Sequence, residues 1–419
     1  MRVCSIKSLA LVCLLVAFLQ LAVPSFAKAS TNENSWQSQF QTQVLLHPAV
    51  VAIKEKLNAA ESSFNGSGKS IYNPELSAEV EREGDSNNYR IGISKTFDWQ
   101  DKVAVRQSRA TSRLQSAKAS FQMAVQTQTA EGLNALVLWR AASRQAVLTH
   151  ELETQLDTML AWIEERQKNG DVGQIDAELA VFGLIQRLNA TAYAQATLKK
   201  VKAKVDAALP QLTKKQRLIP KAFWDRVIDM SKNADNMQAK KWLESHPSVL
   251  IAKAGWKESQ SFSVLVKKDA KADPTIGING GKTGNDNVLG LSLMLPLNVI
   301  NNYSAGVKAA QQEALSMEAE YYAAVRQQKR LIGSSLSVLQ TYQSKTQRWN
   351  QLMNGREERG SQLINQQWRS GDLSTPEYLL ALNQLSEGLS AGIELEKQYE
   401  LARIDWLLQS GQLSAALMR

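Results

Sequence analysis

Two kinds of hydrophobic pattern alternate along this chain. The first has a helical period. From Val103 to about Gln167 small and apolar residues recur every three to four positions: Ala110, Leu114, Ala117, Phe121, Ala124, then Ala135, Leu138 and Ala142, then Leu152, Leu156, Met159 and Ile163. Gln128 and Glu131 interrupt the stripe. A matching stripe runs through Val307, Ala310, Ala314, Met317, Tyr321, Ala324, Leu331, Val338 and Tyr342. No proline lies between Pro74 and Pro210 or between Pro296 and Pro376, so both stretches are free to form long helices. At 1.5 Å per residue, a helix of ~65 residues is a rod of ~100 Å. Each rod runs to a glycine turn, Asn169-Gly170-Asp171 or Ser370-Gly371-Asp372, and a return helix follows over Ile175–Leu209 or from Thr375 to about Gln409.

The second pattern has a period of two. Leu76, Ala78 and Val80 alternate with Glu75, Ser77, Glu79 and Glu81. Tyr89, Ile91, Ile93, Phe97 and Trp99 share a face broken by Lys95. Leu289, Leu291, Leu293, Leu295 and Leu297 alternate with Gly290 and Ser292. These predict strand pairs at about Pro74–Glu83 with Tyr89–Trp99 and Pro274–Thr283 with Val288–Leu297. Gly84-Asp85-Ser86-Asn87-Asn88 joins the first pair and Gly284-Asn285-Asp286-Asn287 the second. Short helices at about Val50–Ser63 and Ser248–Ser261 precede them.

The landmarks fall in the same order twice, about 200 residues apart. His47-Pro48 returns as His246-Pro247, Asn73-Pro74 as Asp273-Pro274, Ile91-Gly92-Ile93-Ser94 as Leu289-Gly290-Leu291-Ser292, and Gly170-Asp171 as Gly371-Asp372. The fold class is therefore mainly α with a small β part, built from one duplicated unit. The expected division is a signal peptide over 1–27, a first repeat over 28–209, a linker over 210–245 and a second repeat over 246–419.

The N-terminus reads as a secretory signal and predicts a chain exported from the cytoplasm. Arg2 and Lys7 precede an apolar run from Leu9 to Val23, and Ser25-Phe26-Ala27 fits a cleavage site, with Ala29 as an alternative. Cys4 and Cys13 are the only cysteines, so a mature chain has neither disulfides nor thiolate ligands. The net charge of +9 is spread along helical stretches, which suggests no nucleic-acid partner. His47, His150 and His246 are isolated, and two of them stand at matched helix starts. No metal-ligand cluster, phosphate loop or nucleophile set stands out, so neither an enzyme nor a cofactor is expected.

Strands of ~10 residues with one apolar and one polar face suit a membrane barrel, although a half-buried soluble sheet shows the same alternation. Four strands cannot close a barrel, for which eight is the usual least number. Three copies would supply twelve and leave no open edge in lipid.

Here the residues resemble a known family. Pro74-Glu75-Leu76, then Glu79 to Gly84, then Phe97-Asp98-Trp99-Gln100-Asp101-Lys102 with Arg106 and Ala110, in this doubled order, resemble the outer-membrane efflux proteins of the TolC family. The heavy-metal cation-efflux branch is the most similar. The likeness runs from about Trp36 to Leu413, and it departs at Gln100-Asp101, where the family commonly has glycines.

The resemblance implies a homotrimer whose twelve-stranded β-barrel crosses the outer membrane and continues as an α-helical barrel through the periplasm. It implies a periplasmic adaptor and a proton-driven inner-membrane pump as partners, and passive conduction of metal cations. Asp171, Asp176, Asp372 and Glu377 would ring the periplasmic mouth, as acids do in cation pores, or serve simply as helix caps. Arg166, Gly170, Val172, Gly173, Arg369, Gly371, Leu373 and Ser374 surround the same turns, where the adaptor would meet the tube. Glu75, Glu79 and Glu81 would face the lumen. Ile91, Ile93, Leu289, Leu291, Leu293 and Leu295 would face lipid, with Tyr89, Trp99 and Tyr303 at its interfaces. The competing reading is a periplasmic coiled-coil scaffold or adaptor, which accounts for the rods but not for the strands.

Overall fold

The computed structural model describes residues 30–169, 173–212, 217–232 and 236–418. The expected signal peptide and the turn residues Gly170, Asp171 and Val172 lie outside them. The first half comprises α1 (Ser30–Leu46), α2 (Pro48–Ser67), β1 (Glu75–Glu83), β2 (Ser86–Thr96), α3 (Lys102–Lys168) and α4 (Gln174–Ala208). Then come α5 (Lys221–Lys232) and α6 (Asn236–Ser245). The second half comprises α7 (Pro247–Asp269), β3 (Thr275–Thr283), β4 (Asp286–Met294), α8 (Ser304–Met353), α9 (Arg356–Ser370), α10 (Thr375–Gln409) and α11 (Leu413–Met418).

The molecule is an elongated array of helices with the strands at one end. α3 has 67 residues, a rod of ~100 Å. Near the strands α3 packs against α2 and α7, and α7 against α8; towards the far end α3 packs against α4 and α10, and α10 against α8 and α9. The expected seam is the buried one at the far end, where Leu152, Leu156, Met159 and Ile163 join Trp368, Tyr378 and Leu382 in a core.

The polar interruption at Gln128 and Glu131 marks a change of surroundings. Gln128 is buried and Glu131 exposed. Here α1, α5, α10 and α11 close around the rod, and the largest core joins Phe40, Leu133, Leu136, Phe223, Ile404, Trp406 and Leu413. The span 210–245 thus contributes helix α5 to a waist around the rod.

His47 and His246 both cap helices: each Nδ1 accepts a backbone N–H, from Ala49 and Ser248 respectively. The second rod differs from its expected single helix. It is broken at Asn354-Gly355, where Gly355 has φ +65°. Asn-Gly accepts that left-handed step more readily than a side chain with a branched β-carbon.

All four strands form one antiparallel sheet in the order β1-β2-β3-β4. The connections in each hairpin are shorter than expected. They are two-residue turns, Gly84-Asp85 and Gly284-Asn285, whose glycines have φ +60°, the geometry that matches strand twist in tight hairpins. Ser86–Asn88 and Asp286–Asn287 therefore belong to strands. At the other end the ladder stops at Thr96 and Met294 rather than at Trp99 and Leu297.

Candidate functional site: the strand face, the junction and the tip

Register determines which residues share a face. Leu76 lies opposite Ile93, Ile93 opposite Ile278, and Ile278 opposite Leu291. Leu76, Val80, Tyr89, Ile91, Ile276, Leu289 and Leu293 fall on that same face, and every one of them is exposed. Leu289 and Leu291 are 83% and 82% exposed. A half-buried soluble sheet would cover this face with its own chain, and no described element does so. A contiguous apolar surface of this kind marks an interaction site.

The opposite face carries Glu75, Glu79 and Glu81, as expected, together with Glu83, whose place follows from the same alternation. Arg90, paired across from Glu79, is its ion-pair partner at 3.6 Å. Glu79, Glu81, Glu83 and Arg90 bound a shallow hollow of about 190 Å³ with Asn88 and Thr283. The rest of the face is small. A Cβ on Gly92 would stand 2.9 Å from Ser77 Oγ, and one on Gly277 2.6 Å from Ser292 Oγ. Small residues leave room on the inner side of a curled sheet, while Leu and Ile spread over the outer one. Within this chain β1 and β4 each pair on one side only, so the sheet has two free edges.

The junction between strands and rods is tied across the two repeats. Lys102 Nζ lies 2.9 Å from Asp273 Oδ2, with side chains 7% and 3% exposed. Tyr72 donates to the same carboxylate at 2.7 Å, and that bond with burial pushes its phenol up to about 12. Both Asp98 oxygens accept from the start of α3, at the amides of Lys102 and Val103. Asp101 has φ +54°, the left-handed step that explains why glycines suit this position. Lys268 Nζ donates to the carbonyls of Gln100 and Asp101 and holds the step in place. Tyr303 repeats it before α8 with φ +57°.

At the far end Gly371, Asp372, Leu373 and Ser374 form the turn between α9 and α10, with Arg369 in the last turn of α9. Gly371, at φ +84°, stops α9. Asp372 accepts from Ser370 Oγ at 2.6 Å. Ser374 and Glu377 form a capping box, in which Glu377 accepts from the Ser374 amide and hydroxyl. Those bonds hold its carboxyl below the usual range. Ser374 thus caps α10 with Glu377 as its capping-box partner, while Asp372 lies between the two helices and its carboxylate binds Ser370. Gly173 is the N-cap of α4, and Asp176 lies half-buried in its first turn.

The sequence pattern did not reveal what braces this end. Trp162, Trp368 and Tyr378 pack in series as tilted ring pairs, with ring centroids 4.5 and 4.8 Å apart. The Arg166 guanidinium lies 4.5 Å from the Trp162 ring centroid. Tyr378 donates to Asn365 at 2.6 Å, and Gln155 reaches both from α3. The lone Trp positions do not recur between the repeats, so no internal comparison brings them together.

Among the described residues, no helix is long and apolar enough to cross a membrane. Among the described residues, no group of three or more acidic, His or Cys side chains is placed to hold a metal.

No protein-family model and no curated protein matches the sequence. Solved structures do match in fold. One is a membrane protein from Pseudomonas aeruginosa, with a TM-score of 0.73 at 14% identity over 90% of this chain and 93% of that one. The outer membrane protein VceC from Vibrio cholerae gives 0.71 at 14% identity, over 90% and 96% of the two chains. The CmeC outer membrane channel of Campylobacter jejuni gives 0.73 at 11% identity, over 91% and 86%. The mainly helical, duplicated fold with its small antiparallel sheet is thus the fold of solved outer-membrane channels.

Proposed function

We propose that this chain is a TolC-like outer-membrane channel. Three copies form the exit duct of a tripartite efflux assembly. The observation that carries the reading is the sheet: one face carries the exposed apolar residues of all four strands, the other is polar and small, and both edges are open. In lipid an open edge leaves backbone groups unpaired, so β4 of one copy must meet β1 of the next. In a four-stranded antiparallel sheet these edges run in opposite directions, so the contact continues the pattern. Three copies close twelve strands, and the rods below close as a helical barrel.

The cargo is cationic, and metal cations are the class we favour, as in the heavy-metal branch. In each copy Glu75, Glu79, Glu81 and Glu83 line the polar face against the single Arg90. A trimer gathers these acids around one lumen, a field that favours cations. Asp171 and Asp372, with Asp176 and Glu377 beside them, form the periplasmic mouth. A periplasmic adaptor contacts Arg166, Gly170, Val172, Gly173, Arg369, Gly371, Leu373 and Ser374 and links the duct to a proton-driven inner-membrane pump. The duct itself is passive.

Envelope fractionation tests the reading. The protein is expected in outer-membrane fractions, resisting carbonate extraction. Recovery in the soluble periplasmic fraction would instead favour a coiled-coil scaffold.

A further inference from the structure

The apolar belt on the strands is too short for its task. On β4 the outward apolar positions are Leu289, Leu291 and Leu293, four residue steps or ~13 Å at ~3.3 Å per residue. At a strand tilt of ~40° that is ~10 Å of height, against the ~25 Å apolar band of an outer-membrane barrel. The neighbouring strands do no better: Leu76–Val80 and Tyr89–Ile93 span four steps each, and Lys95 and Lys282 fall on the same outward face. The hairpin ends offer only the polar turns Gly84-Asp85 and Gly284-Asn285. The missing height must come from the side of the helices.

There the chain between β4 and α8 continues the pattern beyond the ladder. Leu295, Leu297 and Val299 are exposed, and Ile300 is 99% exposed. Between them Asn298 turns inward and donates to the Ala270 carbonyl at the end of α7, at 2.7 Å. That bond fixes which way the segment faces: Asn298 towards the body, its apolar neighbours away from it. Phe97 and Trp99 do the same beyond β2, at 47% and 73% exposure. Lys271, next to Ala270, is exposed beside this segment, as suits the level of lipid phosphates.

We propose that the segment from Leu295 to Ile300, with Trp99, is a membrane-seated collar whose apolar side chains lie among the acyl chains of the periplasmic-side leaflet. From Leu293 to Val299 the chain adds up to ~20 Å of reach, enough to complete the band. The inference rests on the outer-membrane reading of the sheet. Ile300 is fully exposed and its side chain supports nothing within the copy, so it can be replaced without loss of fold.

The test is a depth measurement with a thiol-linked bimane at Ile300→Cys, at Leu291→Cys and, as an aqueous reference, at Gln347→Cys on α8. Cys4→Ser and Cys13→Ser leave each introduced thiol as the only one. The full chain is reconstituted in phosphatidylethanolamine–phosphatidylglycerol vesicles containing brominated acyl chains. Quenching at Ile300 at least half as strong as at Leu291, with none at Gln347, is the expected result. Quenching at Leu291 alone overturns the collar and leaves the barrel standing. Quenching at neither position overturns both.

Discussion

Leu291→Arg separates lipid from water as the surroundings of the sheet. Leu291 is 82% exposed within the chain and lies midway along the apolar face, opposite Ile278. If the face meets water, an arginine there touches nothing it can disturb, and the change falls within about ±0.5 kcal/mol. If the face meets lipid, the same arginine sits inside the belt, between its outer edge and its middle, and costs about 1–3 kcal/mol per copy. Each 1.4 kcal/mol is tenfold in an equilibrium constant, so roughly 5- to 140-fold of folding equilibrium is lost per copy. Three copies multiply the effect.

The assay is folding into lipid vesicles, read as heat-resistant gel mobility and as the urea midpoint. Glu81→Arg, on the opposite face, is the control for added charge. Leu291→Arg is expected to abolish most of the folded fraction while Glu81→Arg retains it. Equal folding of Leu291→Arg and wild type would refute the assignment of this face to lipid.

Four further outcomes are expected. Lys102→Met leaves the Asp273 carboxylate buried without its cation and lowers stability by about 3–5 kcal/mol, whereas Lys102→Met with Asp273→Leu recovers most of it; thermal unfolding followed by circular dichroism reads both. Burial lowers the His246 pKa, so as pH falls the unfolded chain takes up that proton first. Stability is therefore full above about 6.5, declines as pH drops towards the lowered folded value, and levels off beneath it; His246→Asn keeps the cap and removes this component of the slope. Trp368→Ala, at 7% exposure between Trp162 and Tyr378, costs about 3–5 kcal/mol and speeds amide exchange in α9 and the start of α10 before the waist. Asp171→Ala with Asp372→Ala shifts single-channel conductance or cation preference and leaves assembly intact; unchanged conduction would overturn the assignment of both residues to the mouth.

What could be read from the sequence was whatever depends on local periodicity. The alternation of Leu289, Leu291 and Leu293 placed their face, and the stripe from Leu152 to Ile163 placed the far core. Repetition made His47 and His246 legible as paired helix starts. Features that depend on distant packing were not legible. The waist draws together α1, α5 and α11, none of which carries a repeated landmark. The break at Asn354-Gly355 had a local signal in Asn-Gly, but the stripe ended at Tyr342 and left that stretch without a phase. The strand ends were misplaced because alternation outlasts hydrogen bonding: Leu295 and Leu297 keep the outward phase after the ladder has stopped. The Lys102–Asp273 pair joins positions about 170 residues apart, and no one-dimensional pattern connects them.

The central claim is that these copies close into a membrane duct. The measurement that bears on it most directly is the mass of the purified protein in detergent, taken together with its conductance in a planar bilayer. A stable trimer that opens a cation-preferring pore is the predicted result. A monomeric or non-conducting species would contradict it and return the exposed strands to some other partner.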